Sequence, residues 1–180
     1  MTSCWARSKV ISEPLRVERL SAAHDRSTFS CGNAALDRYL REQAGQDLRR
    51  HLSAVFVLFD RANDVVAGYY TLSACEVDPT SLPSEIAKRL PRRPVPATLI
   101  GRLAVDLDYR GLGLGRTLLA NALIRAAGAS LAIGSMAVIV DAKDDQARAF
   151  YEHYGFRRFV EDPYRLFIPM AVAIRHEREG

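Results

Sequence analysis

Apolar residues fall into short continuous runs and helix-spaced stripes that alternate along the chain, the pattern of a sheet flanked by helices. Leu15-Arg16-Val17-Glu18-Arg19-Leu20 alternates apolar and charged residues and predicts a first strand with one wet face. Ser21 to Gly32 reads as loop. Asn33 is a good helix cap, and Leu36, Tyr39, Leu40, Ala44 and Leu48 then make a stripe for the core. Ser53 to Asp60 is a strongly apolar strand, which Arg61-Ala62-Asn63-Asp64 turns into a second strand from Val65 to Val77. In that second strand Tyr69, Thr71 and Ser73 share one face and Tyr70, Leu72 and Ala74 the other. The hydroxyls either face a substrate cleft or are strand formers with no such role.

Ser81 to Leu90 predicts a short amphipathic helix capped near Ser81 or Ser84, and Pro91 to Pro96 a stiff extended segment. Leu99 to Val105 is too short an apolar run for an ordinary helix and reads as a buried strand. A glycine-dense stretch follows, and then Leu114, Leu118, Leu119, Ala122, Leu123 and Ala126 mark one face of a helix whose end Gly128 and Gly134 bracket. Met136 to Val140 is another buried strand, running into Asp141. Asp145 to Tyr154 is a helix with Gly155 as its left-handed cap, and Phe159-Val160 and Leu166 to Met170 are closing strands. Residues 15–170 thus form one domain, between an aperiodic arm at 1–14 and a charged tail at 171–180 that frays.

The stretch from Thr98 to Leu118 carries the chemistry. Its order is strand, glycine loop, helix, and glycines there let a ligand approach the first amides of the helix, which favour an anion. Arg110 and Arg116 add fixed charge suited to a pyrophosphate. A nucleotide triphosphate loop needs Gly-x-x-x-x-Gly-Lys-Ser/Thr, but before Gly115-Arg116-Thr117 the first glycine position is Arg110 and the lysine is missing. A dinucleotide loop needs a glycine where Arg116 stands, after Gly111 and Gly113. What remains is Arg-x-x-Gly-x-Gly. Glycines at such a turn also serve backbone conformation alone, yet three at alternate positions between arginines exceed what one turn needs.

Composition changes this picture in three ways. Three cysteines in 180 residues, Cys4, Cys31 and Cys75, form neither a metal pattern nor a disulfide framework, so no metal is expected and the setting is a reducing cytoplasm. No run has signal-peptide or membrane-span length, so neither export nor a membrane partner is expected. The net charge of +4, mostly from arginine, admits a polyanionic partner. Arg49, Arg50 and His51 close a helix, where they either complement its dipole or position a phosphate backbone. Lys88, Arg89, Arg92 and Arg93 are the densest basic cluster, either a solvated rim or a nucleic-acid contact. Arg102 is costly inside an apolar strand unless it is paired or reaches a wet cleft, and the cleft is favoured.

Arg110-Gly111-Leu112-Gly113-Leu114-Gly115 resembles the coenzyme A pyrophosphate loop of the GNAT acetyltransferases. Asp144 to Phe156 resembles that family's later helix with its Tyr-x-x-x-Gly-Phe turn, with Asp144 where many members have Asn. The resemblance implies an α/β (α+β) fold, a mixed central sheet splayed at the acetyl-CoA site and flanked by helices. It implies Leu103 and Val105 as backbone partners of the pantetheine arm. It assigns Arg110, Gly111, Leu112, Gly113, Leu114, Gly115, Arg116 and Thr117 to the pyrophosphate, and Tyr151 to protonation of the departing thiolate.

A narrower likeness lies in RVERL, FSCGNAALDRYL, GYYTLSA, PVPATLIGRLAVD, FYEHYGF and LFIPM, which look like the GNAT toxins of toxin–antitoxin pairs. It implies acetylation of the α-amine of aminoacyl-tRNA, a block of translation, a small DNA-binding antitoxin as partner, and a homodimer. Arg92 and Arg93 are the first choice for RNA phosphates, with Arg49 and Arg50 second and Arg102 facing the substrate. The central strand offers no acidic base, and an α-amine needs one less than a lysine does. The alternatives are a GNAT acting on a protein N-terminus or small amine, and a non-catalytic acyl-CoA-binding module.

Overall fold

The computed structural model describes residues 15–178, with side chains to 175. The arm expected at 1–14 lies outside the described residues. The elements are β1 (Arg16–Arg19), α1 (Ala34–Arg38), a π-helical stretch (Tyr39–Gln43), α2 (Ala44–Arg49), β2 (Ala54–Asp60), β3 (Val65–Val77), α3 (Ser84–Ala87) and β4 (Val95–Val105). Then come α4 (Leu114–Ile133), β5 (Ala137–Asp141), α5 (Asp145–His153), β6 (Arg157–Arg158), β7 (Arg165–Pro169) and α6 (Met170–Arg178). One seven-stranded sheet runs β1-β2-β3-β4-β5-β7-β6. It is antiparallel except at β4 and β5, which α4 connects.

Both faces of the sheet are covered. Leu118, Leu119, Ala122 and Ala126 of α4 pack on Tyr70, Ile100, Val138 and Ile168. Phe29, Tyr39, Leu40 and Ala44 pack on Val55, Val57, Tyr69 and Ala104 from the other side. Gly68 sets how closely α4 approaches: a Cβ there would meet Ala104 O and Leu118 Cδ1 at 2.9 Å.

Several sequence expectations change. The Asn33 cap is present, its Oδ1 accepting from the amides of Ala35 and Leu36, but the helix after it carries a π-helical turn. Only Ser84–Ala87 is α-helical in the expected 81–90 helix, with no side-chain cap, because Pro83 stands at the cap position, and Ser81 ends a separate 3-10 turn, Pro79–Ser81. α4 continues through Gly128 and only Gly134, at φ 69°, marks its end. The short closing strand is Arg157–Arg158 rather than Phe159-Val160. The expected frayed tail is helix to Arg178, because Met170 and Ala173 fall on one face and bury against the α4 core. Tyr69 and Thr71 are buried, and the Tyr69 hydroxyl donates to Leu36 O at 2.9 Å, so these hydroxyls serve the core.

β4 carries a bulge. Thr71 faces Arg102 and Leu72 faces Ile100, so Gly101 is an extra residue. Before it, Val95 and Ala97 join the cluster of Ile139 and Phe167; after it, Leu103 and Val105 join the α4 cluster and Ala104 the α1 cluster.

Candidate active site

β4 and β5 pair only at Thr98↔Val138, Leu99↔Ile139 and Ile100↔Val140. Beyond Ile100 they part, and the backbone of 101–105 has no strand partner on that side. A cavity of about 400 Å³ opens there, lined by Ile100 to Val105 and Arg110, by Asp141, Lys143, Ala147 and Tyr151, and by Cys31, Asn33, Ala35 and Leu36. Five of the residues singled out in the sequence, Arg102, Leu103, Val105, Arg110 and Tyr151, therefore line one cavity.

The loop below the cavity is anchored before it reaches the glycines. Asp106 accepts from the amides of Ser30 and Asp108, each at 2.9 Å, and the Tyr109 hydroxyl donates to Asp60 Oδ2 at 2.5 Å. Gly111 and Gly113 then adopt φ of 78° and 73°, with nothing within 4 Å of a Cβ at either. The first backbone bond of α4 runs from Thr117 N to Gly113 O, so the amides of Leu114, Gly115 and Arg116 are not claimed by the helix. No acidic residue stands in the first turn, and Arg116 is exposed. An open surface of free amides at a positive helix end fits a pyrophosphate. Two of the residues assigned to it do other work as well. Arg110 donates through Nη2 to Cys31 O at 2.6 Å, and Gly115 lies against Phe150, 3.6 Å from where its Cβ would be. Leu112 and Thr117 are exposed and Leu114 half-buried on the same loop and first turn.

Tyr151 comes from α5, which Asp144 caps by accepting from Ala147 N at 2.7 Å. Asp caps a helix as well as Asn does. The ring is 8% exposed, against Phe150 and Phe156 at 5.2 and 5.5 Å between centroids. Its hydroxyl has no hydrogen-bond partner among the described residues and is open to the cavity. Burial pushes it well above the ordinary tyrosine range, so it carries its proton at any physiological pH.

Arg102 reaches the cavity, as favoured, and no carboxylate pairs with it among the described residues. Its guanidinium instead lies over the Tyr39 ring, 3.5 Å from the centroid. Asp141 is the one carboxylate among the described lining residues, and Arg165 Nε stands 3.7 Å from it. Cys31 is buried, and that burial, with the Asp37 carboxylate beside it, pushes its thiol up to about 11. Among the described residues, no group of His, Cys, Asp and Glu could hold a metal.

The other basic candidates are exposed and lie outside the cavity lining: Arg49 and Arg50 at the end of α2, Arg92 and Arg93 ahead of β4. Arg49 and Arg26 converge over Gly45, their Nη1 atoms 3.4 and 3.5 Å from where its Cβ would be. Sequence reasoning missed Cys31, Leu36, Lys143 and Ala147 as lining residues. The signal for Lys143 and Ala147 was the end of β5 at Asp141, opposite a strand already assigned to the cleft.

A family profile described as an acetyltransferase (GNAT) domain matches residues 51–158. The chain belongs to the GNAT acetyltransferases. Its relatives include a protein of Mycobacterium tuberculosis (strain ATCC 25618 / H37Rv) named tRNA-acetylating toxin, 39% identical over 153 residues, 84% of this chain and 90% of that one. A probable toxin TacT of Sinorhizobium fredii (strain NBRC 101917 / NGR234) is 30% identical over 91% of this chain and 93% of its own. Among solved GNAT structures, AtaT complexed with acetyl-methionyl-tRNAfMet has a TM-score of 0.84 at 32% identity, covering 90% of this chain and 98% of its own. A tyrosine-to-phenylalanine mutant of AtaT bound to the C-terminus of the antitoxin AtaR and acetyl-CoA has a TM-score of 0.78 at 29% identity, covering 89% and 96%. The GNAT fold and acetyl-CoA as acetyl donor thus stand together with the splayed strands and the glycine loop. Among the described residues no helix is long and apolar enough to cross a membrane.

Proposed function

We propose that this GNAT acetylates the α-amine of the amino acid on charged tRNA and acts in the cytoplasm as a toxin that blocks translation. The observation that carries the reading is the cavity's chemistry. A neutral tyrosine faces strand backbone that has lost its partner, and the one carboxylate among the described lining residues lies beside an arginine. Such a cleft can donate a proton but is poorly equipped to remove one. It suits an amine with a sizeable neutral fraction near pH 7: an α-amine titrates at about 7.7 to 8.0, against about 10.4 for lysine.

Acetyl-CoA is the second substrate and supplies the activated acetyl group. Leu103 and Val105 offer backbone groups to its arm, and the amides of Gly111 to Arg116 with Arg110 and Thr117 hold its pyrophosphate. The amine nitrogen forms the new C–N bond as the C–S bond breaks. The thiolate takes the Tyr151 proton, and the proton lost by the amine returns to the tyrosine through solvent. Beyond the cavity, Arg92 and Arg93 and, on the helix that also carries Leu36, Arg49 and Arg50 meet RNA phosphates. The reading includes a homodimer and a small DNA-binding antitoxin.

The test is transfer of labelled acetyl from acetyl-CoA to total charged tRNA, with deacylated tRNA as control. Label on the charged pool alone is the expected result. Label on neither, with coenzyme still bound, refutes the reading and turns attention to protein N-termini and small amines.

A further inference from the structure

We propose that Tyr39 is a positioning residue that presents Arg102 as a clamp for the phosphodiester nearest the 3′ end of the acceptor. The proposal rests on the reading above that the acceptor is a charged tRNA.

Tyr39 is held on several sides. Its ring stacks on Tyr69 at 6.2 Å and 19°, and its hydroxyl donates to Asp47 Oδ2 at 3.0 Å. Tyr69 is itself tied by its hydroxyl to Leu36 O at 2.9 Å. Both rings are at most 2% exposed. The π-helical turn begins at Tyr39, and such an insertion re-aims the side chains that follow it on a helix, often beside a functional site. The result is a fixed aromatic shelf. Burial, followed by the Asp47 hydrogen bond, pushes the Tyr39 hydroxyl up to about 12, so the shelf stays neutral under the guanidinium.

A guanidinium stacked through its face keeps its N–H edge for a ligand. None of the Arg102 N–H groups has a hydrogen-bond partner among the described residues, and no partnerless side-chain nitrogen or oxygen is buried. That edge is therefore not enclosed by the fold and reaches the cavity. The bulge at Gly101 decides what it meets. Leu103 and Val105 face the α4 core, while Arg102 turns to the α1 side with Ala104 and lies on Tyr39. In the reading above the acceptor comes to the cavity from the α1 side, so the ligand for that edge belongs to the acceptor, and a free guanidinium fork suits an anion; the one carboxylate among the described lining residues, Asp141, stands beside Arg165. In an aminoacyl-tRNA the α-carboxyl is esterified, so the nearest anion is a phosphodiester. A free amino-acid carboxylate would offer similar chemistry, and the test separates the two.

The experiment compares KM for charged tRNA, for the methyl ester of the same amino acid and for the free amino acid, in Arg102→Gln, Arg102→Lys, Tyr39→Leu and Tyr39→Phe. Arg102→Gln and Tyr39→Leu should raise KM for charged tRNA roughly tenfold, with a several-fold smaller loss on the ester. Arg102→Gln should also lessen the slope of log KM against log salt by about 0.7. Tyr39→Phe keeps the ring and should stay within about twofold of wild type. Equal losses on tRNA and ester, or an unchanged salt slope, overturn the proposal. So does a loss confined to the free amino acid, which would assign the clamp to a carboxylate. If Tyr39→Leu does not fold, Arg102→Lys decides: it keeps the charge without the stacked fork, and wild-type KM for tRNA would refute the clamp. Wild-type transfer to charged tRNA separately tests the functional reading.

Discussion

Replacing Tyr151 with phenylalanine removes one hydroxyl and nothing else. The ring is 8% exposed between Phe150 and Phe156, so phenylalanine fills the same space. The hydroxyl has no hydrogen-bond partner among the described residues, so its loss orphans none of them, and stability should stay within about 0.5 kcal/mol of wild type. A positioned proton donor contributes about 10²- to 10⁴-fold, or roughly 3 to 5 kcal/mol in the barrier. The leaving thiolate belongs to an acid of pKa about 8.5, which departs without full protonation, so the lower end, about a hundredfold in kcat, is expected. Burial raises the Tyr151 pKa, so the group remains protonated as pH rises. The wild-type rate should therefore climb with amine deprotonation near pH 7 to 8 and show no tyrosine-dependent fall below pH about 10. The assay is thiol release at saturating acceptor, with acetyl-CoA affinity measured by calorimetry on the same preparation. Turnover within twofold of wild type, or a loss of affinity that matches the loss of rate, refutes the proton-donor role.

Four further outcomes follow from particular residues. Gly113→Ala forces an L residue to φ near 73°, a strain of about 1 to 2 kcal/mol, and should weaken acetyl-CoA binding in calorimetry together with a lower Tm. Gly68→Ala places a Cβ 2.9 Å from the Ala104 carbonyl and should lower Tm by several degrees, equivalent to about 1 to 3 kcal/mol, while acetyl-CoA still binds. Cys31, with its thiol raised from 9.0 to about 11, contributes stability that is whole below pH 9 and lost as pH rises to 11. Urea unfolding of Cys31→Ala should therefore lose less stability between those pH values than wild type does. The paired substitutions Arg92→Ala with Arg93→Ala and Arg49→Ala with Arg50→Ala should each flatten the salt dependence of charged-tRNA binding, and an unchanged slope for either removes that pair from the RNA surface.

The sequence reached the β4 to α4 unit in detail because its signals are local: an apolar run, alternating glycines, and a stripe at helical spacing. It placed Asn33 and Gly155 as caps for the same reason, since each acts on amides or φ angles within a few residues of itself. It misread the 171–178 segment because charge at the end hid the short stripe of Met170 and Ala173, whose burial depends on α4 across the fold. Only part of the cavity lining was legible. Leu103, Val105, Arg110 and Tyr151 belong to motifs, whereas Cys31, Leu36 and Lys143 reach the cavity only because the sheet brings the α1 cap and the end of β5 to one place. The Tyr39 shelf was hidden for a further reason: Tyr39 occupied a regular stripe position, and a π-helical turn leaves no mark in an i, i+4 pattern.

In the proposed mechanism the bulge at Gly101 is what gives the two substrates different faces of β4. Side chains on a strand alternate with period two, so if Gly101 were paired regularly instead of bulged, the parity of Val95 and Ala97 would continue through β4, and Leu103 and Val105 would lie with the Ile139 and Phe167 cluster. The bulge reverses that parity where β5 ends its pairing, so the strand brings both unpaired backbone and a cation to the cavity within a few residues. Arg102 can then stand in an apolar strand without a carboxylate, because its face rests on Tyr39 and its edge meets the cavity. A buried ion pair would have fixed the arginine equally well, but it would have consumed the N–H edge that the proposed clamp requires.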